Sequence, residues 1–171
     1  PMYRKNGKIE VATNYPVVTE EVIIDSVKQI LPVQAVPRHF LTKLETSNDF
    51  DFCYEIPNVS RFRINVCSRM YKKGMVIRTI PLEPLKIADL YLPPAIESFT
   101  EFNNGLVLVT GPTGSGKSTT LASLIDYINQ TQQKHIISIE DPVEFVFSNK
   151  KCVISQRQVE FDTESFSTGV K

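Results

Sequence analysis

The chain has 171 residues, with 19 basic and 19 acidic side chains and a formal net charge of zero. That balance excludes a global field favouring nucleic acid or an anionic membrane. The apolar runs are far shorter than the roughly 20 residues that span a bilayer, and no charged-then-apolar leader opens the chain. Three cysteines, Cys53, Cys67 and Cys152, form no C-x-x-C pair, and each sits in an apolar or alternating stretch. They read as buried free thiols of a reducing compartment.

In chain order, the first expected element is a helix opened by Thr19-Glu20-Glu21, with Ile23, Val27, Ile30 and Leu31 on one face and Pro32 at its end. Pro37 starts a second short helix carrying Phe40, Leu41 and Leu44. From Phe50 the period changes to two. Phe50, Phe52, Tyr54 and Ile56 alternate with Asp51, Cys53 and Glu55, and Pro57-Asn58 turns the chain. Phe62, Ile64 and Val66 then alternate with Arg61, Arg63 and Asn65, and a third strand, Met75 to Ile80, follows Lys72-Lys73-Gly74. An antiparallel meander with two helices on one face fits this order. The proline-rich stretch from Pro81 to Pro94 reads as a linker, and a short helix from Ala95 to Phe102 leads onward.

Leu106-Val107-Leu108-Val109 has the composition of a buried parallel strand. Gly111-Pro112-Thr113-Gly114-Ser115-Gly116-Lys117-Ser118 follows, a full Gly-x-x-x-x-Gly-Lys-Ser pattern. Next comes an amphipathic helix from Ser118 to Asn129 with Leu121, Leu124, Ile125 and Ile128 on one stripe. Strand, glycine loop and helix together make a phosphate site rather than a Gly/Ser turn: glycines let amides curl around a phosphate, and the helix start adds its dipole. Residues 111–119, ending at Thr119, are the expected nucleotide-binding residues. Lys117 would reach the β- and γ-phosphates and the Ser118 hydroxyl would hold Mg²⁺, so ATP and Mg²⁺ are the expected ligands. His135 to Ile139 reads as a second parallel strand ending in Glu140-Asp141-Pro142, and Lys151 to Ser155 as a short third.

At the carboxyl end of its strand, Glu140 is placed either to hold a water or the metal shell against the γ-phosphate, or simply to cap a strand before Pro142. Asp141 shares both readings, and Glu144 is a weaker candidate. Arg61, Arg63, Arg69, Lys72, Lys73 and Arg78 crowd into one stretch. Most suit a solvated sheet face, but a guanidinium that reaches a γ-phosphate accelerates phosphoryl transfer. His39 and His135 lack partner spacing and read as structural. Only 54 residues follow Lys117, fewer than a five-stranded P-loop core needs, so the sequence reads as truncated. Asp162-Thr163-Glu164-Ser165-Phe166 reads as a helix cap and first turn.

Gly105 to Thr120 closely resembles the secretion ATPases that drive type IV pili and type II secretion, and Ser138 to Phe145 resembles that family's acidic box. Ser155-Gln156-Arg157-Gln158-Val159 and Asp162 to Phe166 continue the match. Arg61 to Val66, Val76 to Pro81 and Pro1 to Gly7 resemble the N-terminal domain of the pilus-retraction branch. The resemblance implies an α/β chain: a PAS-like α+β domain over 1–82, a linker over 83–100, and the first part of a RecA-like P-loop ATPase domain over 101–171. It implies a homo-hexameric motor that hydrolyses ATP between protomers to retract pili in twitching motility. The pilus-assembly and type II secretion branches are the alternative. Its partners would be an inner-membrane platform protein and the pilus machinery, with no nucleic acid and no transmembrane segment, in the cytoplasm at the inner membrane. Glu140 becomes the catalytic carboxylate, and Arg63 and Arg78 match the arginines that reach the nucleotide. The family's Walker B strand and histidine motif are not in this sequence, so the 171-residue chain alone is expected to bind nucleotide poorly and hydrolyse it negligibly; an inactive nucleotide-binding fragment is the alternative of another class.

Overall fold

The computed structural model describes residues 1–31, 42, 44, 46 and 49–170. A hairpin opens the chain: β1 (Met2–Lys5) pairs antiparallel with β2 (Lys8–Val11), Met2 opposite Val11. Asn6 and Gly7 both have positive φ, 50° and 80°. Two such residues in a two-residue loop match the twist of the flanking strands. Asn-Gly is the strongest short hairpin signal, and sequence reasoning passed over it although Lys8-Ile9-Glu10-Val11 alternates behind it; all eight strand residues are exposed.

Helix α1 runs Glu20–Ile30, with the Thr19 hydroxyl accepting from the Val22 amide and Glu20 and Glu21 in the first turn, where the helix dipole favours them. Ile23, Val27 and Leu31 of its expected apolar face are buried. The expected second helix lies largely outside the described residues; Thr42, Leu44 and Thr46 are helical and Leu44 is buried.

Strands β3 (Asp49–Ile56), β4 (Ser60–Arg69) and β5 (Lys72–Ile80) form a sheet in that order. Connections this short join only antiparallel neighbours. Asn58 turns the first connection at φ 61°, with the Val59 amide on the Ile56 carbonyl. The second turn is not at Lys72 to Gly74 as the sequence suggests. It lies at Met70 and Tyr71, with φ 46° and 67°, and Gly74 sits inside β5. A two-residue hairpin needs two left-handed residues, and here geometry imposes that on side chains with no turn preference.

The chain divides into two compact units, residues 1–54 with 64–78, and residues 55–63 with 79–171. The first is built on α1, Phe50, Phe52, Ile64 and Val66, with Phe50 and Phe52 stacked at 5.9 Å. In the second, α2 (Ala95–Ser98) runs into a 3-10 turn at Phe99–Glu101, together the short helix expected there. Helix α3 (Lys117–Thr131) follows the glycine loop. Strand β6 (His135–Glu140) pairs in parallel with β7 (Val153–Gln158), Ser138 opposite Gln156 and Glu140 opposite Gln158. The last element is α4 (Phe166–Gly169), capped by Ser165 in a reciprocal capping box with Thr168. The cap and helix start thus fall within the expected 162–166 stretch, and the Asp162 carboxylate accepts from the Gln158 backbone amide at 2.8 Å.

Two features hold α3 in this unit. The Tyr127 hydroxyl donates to Glu97 at 2.5 Å, and that bond is the main reason the phenol titrates above its ordinary range. Asn129 is fully buried: its amide donates to the Ser148 carbonyl at 2.9 Å and its oxygen accepts from the Lys150 and Cys152 amides. The expected strand at Leu106–Val109 does not form. The segment is unpaired, and Leu106 and Leu108 are 82% and 73% exposed. A central parallel strand exists only between neighbours that complete its ladder, and β6 and β7 pair only with each other among the described residues. Asn129→Ala leaves one carbonyl and two amides without their partner, so unfolding by denaturant should show a loss of about 2–4 kcal/mol.

Candidate functional site

The glycine loop between Thr110 and Lys117 takes backbone conformations that favour glycine. Gly111, Gly114 and Gly116 have φ of 151°, 81° and 93°. At Gly111 a Cβ would stand 2.7 Å from the Ser115 hydroxyl oxygen, so both conformation and space require glycine there. Gly116 is the left-handed residue that starts α3, and no side chain caps that helix. The first-turn amides of α3 therefore point from a helix start without an intrahelical partner. Lys117 lies folded over the loop, its ammonium donating to the Gly111 and Pro112 carbonyls at 2.9 Å each.

Ser118, one residue on, lines a cavity of about 450 Å³ with Leu121, Ile125, Ser138, Glu140 and Arg63. Asp141, Glu144 and Phe166 also face it. Among the residues singled out in the sequence, the structure thus brings together Ser118, Glu140 and Arg63. Lys117 stays on its own loop carbonyls, and Arg78 is an exposed residue of β5 in the first unit.

Glu140 ends β6 with one oxygen doubly held: Oε1 accepts from the Ser138 hydroxyl at 2.7 Å and from the Gln156 amide at 3.1 Å. Beyond it, a cis bond joins Asp141 to Pro142, and the chain folds back along β7. Two glutamines of β7 hold this segment. Gln158 accepts from the Val143 amide at 3.1 Å, and Gln156 donates to the Phe145 carbonyl at 2.7 Å while accepting from the Phe147 amide at 2.9 Å. Val143 and Phe145 are buried beneath it. Arg61 donates to the Val143 carbonyl at 3.0 Å and to Glu55 at 3.1 Å. Arg63 is ion-paired with Glu144 at 2.6 Å. Sequence reasoning named Ser138, Gln156, Gln158 and Arg61 within its motifs and its basic stretch but gave none of them a role at the site. The one available signal was the Gln-x-Gln spacing, which on a strand puts both amides on one face.

A family model described as type II/IV secretion system protein matches residues 48–167, spanning the β3–β5 sheet, the glycine loop and the acidic segment. The chain belongs to that family. Among curated relatives, it is 48% identical over 121 residues to the type IV pilus retraction ATPase PilT of Pseudomonas aeruginosa, covering 71% of this chain and 35% of the relative. It is 40% identical over 170 residues to a twitching motility protein of Neisseria gonorrhoeae, covering 99% of this chain and 44% of the relative. A solved structure of the pilus retraction motor PilT with bound ADP superposes with a TM-score of 0.79 at 41% identity, covering 97% of this chain and 47% of that one. The chain spans less than half the length of each. Its fold is α/β, an N-terminal domain followed by part of a RecA-like ATPase domain, as in that secretion ATPase.

All oxygen donors at the cavity are hard: the Ser118 hydroxyl and the Glu140 and Asp141 carboxylates, a set that suits Mg²⁺ bound largely through phosphate and water. No cluster of three His, Cys, Asp or Glu side chains forms a metal cage among the described residues. Gly111→Ala should strain the loop, and unfolding by denaturant should register a loss of about 1–2 kcal/mol.

Proposed function

We propose that this chain is the nucleotide-binding part of a hexameric ATPase that powers type IV pilus retraction, acting in the cytoplasm at the inner membrane with a platform protein and the pilus machinery. The observation that carries the reading is the cavity shared by Ser118, Glu140 and Arg63 beside the glycine loop. The family match and the names of the PilT and twitching-motility relatives support the motor and favour retraction over the assembly and type II secretion branches. An N-terminal domain over 1–82, a connection over 83–100 and a nucleotide domain from 101 belong to the same proposal.

On this reading residues 111–119 cradle the phosphates of ATP, and the Lys117 ammonium exchanges the Gly111 and Pro112 carbonyls for β- and γ-phosphate oxygens. Ser118 holds Mg²⁺, which when bound neutralises charge on the β- and γ-phosphates. Glu140 orients a water and takes its proton as the water's oxygen bonds to the γ-phosphorus and the bond to ADP breaks, leaving ADP and phosphate. Arg63 leaves Glu144 for the γ-phosphate, where its charge meets that of the transition state, and Arg78 is the second arginine of the site.

The test uses the protein as its source organism makes it. Lys117→Ala should lose binding of a fluorescent ATP analogue. Glu140→Gln should keep binding and lower kcat by about 10²- to 10⁴-fold. Arg63→Ala and Arg78→Ala should keep binding and lower turnover by about 10³-fold or more; unchanged turnover would remove either arginine from the site. Binding without any hydrolysis in the unmodified protein would favour an inert nucleotide-binding module.

A further inference from the structure

We propose that Gln156 and Ser138 are positioning residues for Glu140: both donate to its Oε1 and leave Oε2 as the oxygen that meets the attacking water. The inference rests on the reading of Glu140 as the catalytic carboxylate.

Parallel pairing sets Ser138 directly opposite Gln156, and Ser138 and Glu140, two apart on β6, share a face. The orientation of the Gln156 amide is decided by the chain around it. The Phe147 amide can only donate, so it fixes the Gln156 oxygen toward itself at 2.9 Å. The Phe145 carbonyl can only accept, and takes the Gln156 nitrogen at 2.7 Å. With both ends committed, the remaining N–H of that NH₂ group falls to Glu140 at 3.1 Å. The Ser138 hydroxyl bonds Glu140 and no other described residue, at 2.7 Å. Two donors on one carboxylate oxygen fix the plane of the group, and among the described residues no hydrogen bond engages Oε2. Gln156 does not itself line the cavity, so its effect on chemistry passes through Glu140.

A general base that swings out of line loses rate while nucleotide affinity, set by the glycine loop, stays put. Ser138→Ala and Gln156→Ala should each lower kcat, by factors between about threefold and a hundredfold, with the Kd of a fluorescent ATP analogue unchanged within about twofold. The deciding measurement is the same pair of substitutions made in a Glu140→Gln background, followed by single-turnover phosphate release. Residues that act only through the Glu140 carboxylate have nothing left to lose there, so both should leave the residual rate unchanged.

Losses of the same size in both backgrounds would mean a merely structural role and overturn the inference. Full turnover in both single variants would overturn it too, as would a rise in Kd that accounts for the loss. Gln156→Ala also frees the 145–147 backbone; if it fails to fold, Ser138→Ala decides alone, because its hydroxyl touches Glu140 only. An inactive Glu140→Gln protein beside a fully active Ser138→Ala protein sinks the positioning role and spares the catalytic one. Full turnover by Glu140→Gln sinks both.

Discussion

The parallel register of β6 and β7 is the constraint on which the candidate site depends. It aligns Ser138 with Gln156 and Glu140 with Gln158, and the two-residue period brings two strands' polar side chains to one face. The segment after Glu140 then folds back over that face with its own backbone amides and carbonyls needing partners, and the glutamines supply them at Val143, Phe145 and Phe147. A slip of one residue would exchange every one of these groups, offering Arg157 where the glutamines stand. In the native register Arg157 instead donates to the Gly169 and Asp162 carbonyls and ties α4 to the strand, while Gly169 sits so close to Ile139 that an added Cβ would stand 2.9 Å from its Cδ1. Satisfying buried backbone groups and placing the carboxylate are the same act here.

The glycine loop answers a different constraint. Three glycines with positive φ let its backbone turn tightly, and it leaves a helix start without a side-chain cap. Lys117 covers the loop by bonding two of its carbonyls, an arrangement that keeps the ammonium beside the loop. On the proposed reading, an exchange from carbonyls to phosphate oxygens would be favoured by charge, because the ammonium would then meet an anion instead of a neutral acceptor.

Legibility in the sequence followed the range of the interactions involved. Periodicity revealed α1 and its buried Ile23, Val27 and Leu31, the alternation of β3 and β4, and α3 after its glycines, because each is fixed by neighbours a few residues away. The run at Leu106–Val109 has the composition of a buried strand yet forms none, since a ladder is a property of pairs and composition speaks for one strand alone. The turn at Met70 and Tyr71 was illegible for a related reason: the hairpin dictates positive φ to residues with no preference for it. Ser118 and Glu140 announced themselves through motif and strand end. Gln156 could not, because its role arises only when Phe145 and Phe147 fold back onto it.

Charge in the cavity narrows how an anion could be bound there. Glu140, Asp141 and Glu144 face it against one guanidinium, Arg63, so its lining carries a formal excess of two negative charges. The ion pair at 2.6 Å cancels Glu144 against Arg63 and leaves two carboxylates at the strand end. A bare triphosphate brought to such a surface meets like charge at close range, where each unit pair costs about 4 kcal/mol at 4 Å in a protein-surface dielectric. On the proposed reading, a divalent cation beside Ser118 would reverse the sign of that encounter, because the strand-end carboxylates would then face a cation. On the proposed reading, binding of a metal–nucleotide complex and release of Arg63 would draw on the same charges, with Glu144 as the partner the arginine leaves.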